Sequence, residues 1–303
     1  MMESHNQDIL RDRYRGCLLG LAVGDALGAP LEFLERDEIE RQFGVLREMI
    51  GGGWLETAPG EWTDDTQMAF AIAKSIVRIG AIEPSDVATL FVEWFESKPK
   101  DVGNTTTRSL RHLASGVPWN EAGSRTLKEL GGSAPSNGSL MRSAPIALAN
   151  RADEEALIRH SIDVSRITHA DPLACWSCVA LNQGIAALLS ESGDAIRSAA
   201  AVPQDEVMRA VMRSSVERGE VRSGGFVLET LQSAFWAFRH HDGFEDVVVA
   251  AVNLGGDADT VGAVAGALAG ARYGASAIPV RWLNVLHQRD KLIDLADSLL
   301  DLS

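Results

Sequence analysis

Arg15-Gly16-Cys17-Leu18-Leu19-Gly20-Leu21-Ala22-Val23-Gly24-Asp25-Ala26-Leu27-Gly28, near one end of the chain, has a glycine at every fourth position in a run of helix formers. Gly262-Ala263-Val264-Ala265-Gly266-Ala267-Leu268-Ala269-Gly270-Ala271-Arg272-Tyr273-Gly274, near the other end, repeats the pattern. A helical glycine costs up to about 1 kcal/mol against alanine, so eight of them call for compensation. Positions four apart share a helix face. Each run therefore reads as a helix with a groove free of side chains, into which another backbone can pack closely. Packing of the two grooves on each other would tie the ends of the chain into one domain. The competing reading is coincidence in a chain with 28 glycines.

Working outward from these runs, helical periodicity dominates and alternating strand patterns are scarce. Helices are expected at 9–29, 65–79, 84–96, 105–115, 141–150, 153–166, 171–190, 204–218, 225–240, 244–253, 260–273 and 288–301. The fold class is thus all-α: a compact, single-domain, multi-helix arrangement over 1–303, with 1–8 as a flexible tail and the polar stretch 192–224 as a possible peripheral insertion. Gly51 to Glu61 and Gly131 to Ser139 stand out as Gly-rich loops.

The composition, 46% hydrophobic and 23% charged, is that of a globular protein. A net charge of −14 repels polyanions and argues against nucleic acid as a partner. No run matches the ~20 uninterrupted apolar residues of a membrane span, and the polar start, Met1 to Arg15, lacks the apolar segment of a signal peptide. Three cysteines make no disulfide framework, so the cytoplasm is the expected compartment. Cys175-Trp176-Ser177-Cys178 has the spacing of a metal or redox pair, but it lies in an apolar helical run without a second pair and reads as core.

Chemistry is concentrated in two short motifs. Gly60-Glu61-Trp62-Thr63-Asp64-Asp65-Thr66 and Gly255-Gly256-Asp257-Ala258-Asp259-Thr260 each place two aspartates beside a threonine hydroxyl on a Gly-containing turn that opens a helix. Either alone could be an ordinary N-cap. A cap needs one carboxylate, however, and four packed together would repel unless cations neutralise them. Oxygen-only donors favour hard ions such as Mg2+ or Mn2+ over Zn2+.

These motifs, with Arg15 to Gly20, Gly24 to Phe33, Asp101-Val102-Gly103 with Thr106, Asn137 to Pro145, and Thr168-His169 with Pro172, resemble the ADP-ribosylglycohydrolase family in identity and order from about 13 to 275. The resemblance implies an all-α fold around a central binuclear metal site, with two divalent ions (Mg2+ or Mn2+) held by Thr63, Asp64, Asp65, Asp257, Asp259 and Thr260. It implies catalytic roles for Glu32, as ligand, base or gate, and for Asp65 and Asp101, the last at the substrate entrance. Asn137, Gly138, Ser139 and His169 would bind substrate, the Gly/Ser loop holding pyrophosphate on free N–H groups. Asp25 reads as a support for the ligands. His5, His112, His160, His240, His241 and His287 show no pattern and read as surface.

The activity this implies is hydrolysis of the N-glycosidic ADP-ribosyl-arginine bond of a modified protein, with ADP-ribose as product and no membrane partner. Serine-linked ADP-ribose, O-acetyl-ADP-ribose and poly(ADP-ribose) are the alternative substrates. Two other classes compete. Val247 to Asp259 has the apolar-run and Asp-x-Asp look of a phosphatase, but Thr260 follows Asp259 directly instead of two positions later. A catalytically silent ADP-ribose reader would be expected to lose some of the six candidate ligands, and all six are present.

Overall fold

In the computed structural model, which describes residues 2–190 and 193–303, both glycine-striped runs are helices, Met2–Gly28 and Ala258–Tyr273. They lie antiparallel, stripe on stripe. A Cβ on Gly16, Gly20 or Gly24 would overlap the carbonyl oxygen of Gly270, Gly266 or Gly262 respectively, and the reverse substitutions would meet the carbonyls of the first helix. The side chains that remain, such as Leu19, Leu27, Val261 and Leu268, are buried on the other faces. The glycines are thus compensated by contact between backbones, and the chain ends meet in the core.

Along the chain the helices are α1 (Met2–Gly28), α2 (Arg36–Phe43), α3 (Asp64–Ile79), α4 (Pro84–Glu96), α5 (Asn104–Ala114), α6 (Trp119–Glu129), α7 (Ala144–Ala149) and α8 (Glu154–Arg166). They continue with α9 (Pro172–Leu189), α10 (Ala195–Ala199), α11 (Asp205–Met212), α12 (Val227–His240), α13 (Phe244–Val252), α14 (Ala258–Tyr273), α15 (Val280–Leu283) and α16 (Arg289–Leu302). Among the described residues there is no strand, only the isolated bridges Gly52–Thr57 and Ser136–Phe226. The fold is all-α.

Four helices were not expected. In α2 only Ile39 is buried, and α6 buries Ala122, Gly123 and Thr126, so neither shows a large apolar stripe. α10 and α15 are single short turns. The helix expected at 204–218 stops at Met212 and gives way to two 3-10 turns. Helix α1 begins at Met2 instead of 9, taking in residues 2–8 of the expected tail. Ser192, at the start of the expected insertion, lies outside the described residues. From Gly193 to Gly224 the chain contributes Val202, Val207, Val211 and Val221 to the hydrophobic core.

Helix α9 is the one described helix long and apolar enough by composition to cross a membrane, and 67% of it is buried inside the fold. It packs against α7, α8, α10, α12 and α14 as a central helix of the core. Cys175 and Cys178 lie on it, buried and unpaired, their thiols turned to the His169 carbonyl and the Ser139 hydroxyl. Burial pushes the Cys175 thiol up to about 12, so it is inert at neutral pH.

Candidate functional site: an acidic centre where two helices begin

The antiparallel pairing of α1 with α14 sets the end of one helix beside the start of the other. Gly28 faces Ala258 and Asp259, and a 3-10 turn, Ala29–Leu31, carries the chain on to Glu32. Two backbone bonds fix this approach: Phe33 N donates to Gly256 O at 2.7 Å and Gly256 N to Leu34 O at 2.9 Å. Gly255 and Gly256 both have positive φ (75° and 66°), and a Cβ on Gly255 would overlap the Leu34 carbonyl. Glycine is required there. As a result, oxygens of Glu32, Asp257 and Asp259 lie within 4.8 Å of one another.

The start of α3 is brought in by Asp25, from the fully buried face of α1. Its carboxylate accepts hydrogen bonds from Thr63 N (2.8 Å), Thr66 N (3.0 Å) and Thr66 Oγ1 (2.5 Å). Asp25 therefore caps α3 from another helix, and Thr63, the N-cap residue, makes no side-chain capping bond. Asp257, the N-cap residue of α14, makes none either. The two N-cap residues thus do not cap their own helices; Asp259 alone makes a local bond of that kind, accepting from Thr260 N (2.8 Å) on Oδ1, and its Oδ2 is left for the centre. The Thr63 hydroxyl lies 3.3 Å from Asp65 Oδ2 and 3.5 Å from Asp259 Oδ2, across 196 positions of sequence in the second case. Asp64 and Asp101 share a hydrogen bond between their carboxyls. Thr260 turns its hydroxyl toward Asp65. Glu32, Asp101 and the six sequence-chosen ligands Thr63, Asp64, Asp65, Asp257, Asp259 and Thr260 converge.

The electrostatics of this cluster are unfavourable as long as every carboxylate is charged. Burial first, then the charges of Asp25, Asp64 and Asp257, hold Asp65 well above the usual carboxylate range. Asp259 is raised by burial and by Asp65 and Glu32, and Asp64 by burial and by Asp101 and Asp25. Burial pushes Glu32 up to about 8, against the opposing hydrogen bond from Trp54 and with reinforcement from Asp257 and Asp101. Asp65 Oδ1 is buried without a hydrogen-bond partner among the described residues. Such an atom calls for an ion or a proton. The donor set is carboxylate and hydroxyl oxygen throughout, which fits a hard divalent cation. The positive ends of α3 and α14 point at the same place and offset part of the repulsion.

On the far side of Asp257 lies the loop expected to bind substrate. Asn137 Nδ2 donates to Asp257 Oδ2 (2.9 Å) and to Thr230 Oγ1 (2.9 Å), so Asn137 orients the acid. Gly138 is backed by His169, whose Cε1 would lie 2.9 Å from a Cβ there. The Ser139 side chain turns inward: its hydroxyl accepts from Ser165 Oγ (2.9 Å) and is buried in the core. Only the backbone of Ser139 remains for a ligand. His169 is buried, and desolvation, with Arg142 nearby, brings its pKa down to about 3. Arg142 Nη2 donates to Thr168 Oγ1 (2.6 Å), which in turn bonds His169 Nδ1 (2.7 Å). Among the described residues the Thr168 hydroxyl has no acceptor for its own proton other than Nδ1, so that proton goes to Nδ1 and the ring proton of the neutral imidazole to Nε2. His169 is a fixed neutral donor.

Several contributors had no signal in the sequence. Trp54 Nε1 donates to Glu32 Oε2 (2.6 Å) from a loop that showed only its glycines. Ser223 O accepts from Asp257 N (2.6 Å), which gives the end of the polar 193–224 segment a place at the centre. Arg142 and Thr168 were visible as motif residues but not as a relay. Of the remaining histidines, His5, His240 and His287 are exposed, while His112, His160 and His241 are half-buried.

The all-helical domain gathers a carboxylate cluster at the meeting of two helix N-termini, and it is comparison with known proteins that gives the class, a glycosidic hydrolase. The chain belongs to the ADP-ribosylglycohydrolase family, whose profile matches residues 6–303. It is 36% identical over 280 residues to the ADP-ribosyl-[dinitrogen reductase] glycohydrolase of Rhodospirillum rubrum, covering 92% of each chain. It is 35% identical to the ADP-ribosylarginine hydrolase Tri1 of Serratia proteamaculans, covering 95% of this chain and 79% of that one. A solved ADP-ribosylglycohydrolase-related protein complex superimposes with a TM-score of 0.82 at 36% identity, covering 97% of this chain and 99% of the other.

Proposed function

We propose that the protein hydrolyses the N-glycosidic bond between ADP-ribose and an arginine side chain of a modified protein, using two divalent cations, Mg2+ or Mn2+. The observation that carries this reading is the meeting of Asp65 and Asp259 over one hydroxyl, with Asp65 Oδ1 left unpartnered. Thr63, Asp64, Asp65, Asp257, Asp259 and Thr260 would hold the cations. Such ions, when bound, supply Lewis acidity and a nucleophilic water at neutral pH.

The protein's own groups do the rest. Trp54 occupies Glu32 Oε2, leaving Oε1 free to take or return a proton as general acid or base beside the cations. Asn137 keeps Asp257 from rotating away. The Nε2–H of His169 and the backbone of the 137–139 loop donate to the sugar-phosphate side of the ligand. The arginine linkage is supported by the name of the Serratia proteamaculans relative, an ADP-ribosylarginine hydrolase.

The test is release of ADP-ribose from separately prepared arginine-linked and serine-linked peptides, with Mg2+ or Mn2+ and with a chelator. Cleavage of the arginine-linked peptide alone, abolished by the chelator, is expected. Cleavage of only the serine-linked peptide, or full activity in chelator, overturns the corresponding part of the reading.

A further inference from the structure

Two large aromatic side chains stand in solvent at the rim of the acidic centre. Phe33 is 67% exposed and Trp54 51% exposed, and their ring centroids are 5.5 Å apart at an interplanar angle of 41°. Both are held there by construction. Phe33 has φ 65°, a left-handed conformation that a bulky side chain rarely adopts, and the bond from its N–H to Gly256 O keeps it so. Trp54 sits at the tip of a tight loop closed by the paired bonds of Gly52 and Thr57 (2.7 and 3.0 Å), with Leu55 buried as its anchor. Strain retained beside a reactive centre marks a functional constraint.

We propose that the Phe33–Trp54 pair is the platform on which the guanidinium of the modified arginine is held during cleavage, and so sets the acceptor specificity of the enzyme. This rests on the arginine reading above. The rings are too close for a planar group to slip between them, because contact on both faces needs roughly twice the 3.5–4.0 Å carbon separation. The occupant therefore lies on an outer face. Trp54 is hydrogen-bonded to Glu32, and the charged groups acting on Glu32 are the carboxylates Asp257, Asp101 and Asp25. A flat cation gains from a ring face. The carboxylates Asp25, Glu32, Asp64, Asp65, Asp101, Asp257 and Asp259 outnumber the charges of two divalent ions, so the rim stays attractive to it. A neutral base such as adenine gains nothing from the acids, and a serine side chain has no surface to stack.

The probe is blocked arginine (acetyl-arginine-amide) against its neutral isostere, acetyl-citrulline-amide, with the indole N–H resonance of Trp54 assigned from Trp54→Phe. Arginine should shift that resonance and citrulline should not. Phe33→Ala should raise KM for an arginine-linked ADP-ribosyl peptide about tenfold while leaving inhibition by free ADP-ribose unchanged; Trp54→Phe, which keeps a ring but drops the bond to Glu32, should lower kcat more than it raises KM. Equal shifts from citrulline and arginine overturn the cation assignment. A shift caused by ADP-ribose, with Phe33→Ala weakening ADP-ribose as much as arginine, moves the pair to the nucleotide side and also overturns it. If the wild type cleaves no arginine-linked peptide, the proposed activity fails, and the arginine titration still decides whether the platform binds guanidinium.

Discussion

The acidic residues differ in what they do, and substitution separates them. Asp65→Asn or Asp259→Asn removes one charge from a buried group of like charges, so the metal-free protein should keep or gain thermal stability. Turnover should fall by at least about a hundredfold, the usual scale for losing one preorganised electrostatic group. Unchanged turnover in either variant removes that residue from the mechanism. Asp25→Asn should do the reverse: three hydrogen bonds that hold the start of α3 are weakened, each worth about 1.5–3 kcal/mol to a charged group, so calorimetry should show a clear loss of stability. His169, kept neutral with its pKa down at about 3, should show no ring titration between pH 5 and 8 by NMR; a midpoint near the ordinary value of about 6.5 would contradict its burial. Thr63 to Asp65 and Asp257 to Thr260 were legible because each motif is local in sequence, although the partners it meets are distant. Trp54, Thr230 and Ser223 were not, because their roles exist only where separate loops meet.

Among the elements, α1 and α14 carry the most readable signal, since a glycine at every fourth position has few physical explanations. Their contact is also the most testable. Gly20→Ala and Gly266→Ala both raise intrinsic helix propensity by up to about 1 kcal/mol, yet each places a methyl group inside the facing carbonyl. Overpacking of this kind typically costs about 1–3 kcal/mol, and denaturant unfolding should show both variants destabilised. Stabilisation by either would refute the close approach. Gly24→Ala and Gly262→Ala act one turn nearer the centre and should also reduce cation affinity, because the same separation carries Glu32 away from Asp257. Helices without a large apolar stripe escaped the sequence. The buried face of α6 is Ala122, Gly123 and Thr126, and a Cβ on Gly123 would overlap the Arg166 carbonyl; its close packing depends on a neighbour that no periodicity reveals.

At the scale of the whole molecule, folding gathers carboxylates that the unfolded chain keeps apart, and stability should record it. Glu32 is pushed up to about 8 and Asp25 to about 6, with Asp64, Asp65 and Asp259 also raised. Unfolded carboxylates titrate near pH 4. Between those values the folded protein binds more protons than the unfolded one, so the metal-free protein becomes more stable as pH falls from 8 toward 6.5. His169 acts in the opposite direction, because its folded pKa is lowered, but weakly in this range, since the unfolded imidazole is at most half charged down to about pH 6.5. A divalent cation performs the protons' task without them. At a hundred times its dissociation constant it should add about 2.7 kcal/mol, on the order of 5 °C in Tm, and the gain should be larger at pH 8 than at 6.5, where protons compete for the same oxygens. Calorimetry with and without Mn2+ across this range checks both slopes. A metal-free Tm that falls on acidification from pH 8, or a cation effect independent of pH, would mean that the carboxylates are neutralised by something other than the ions assigned to them.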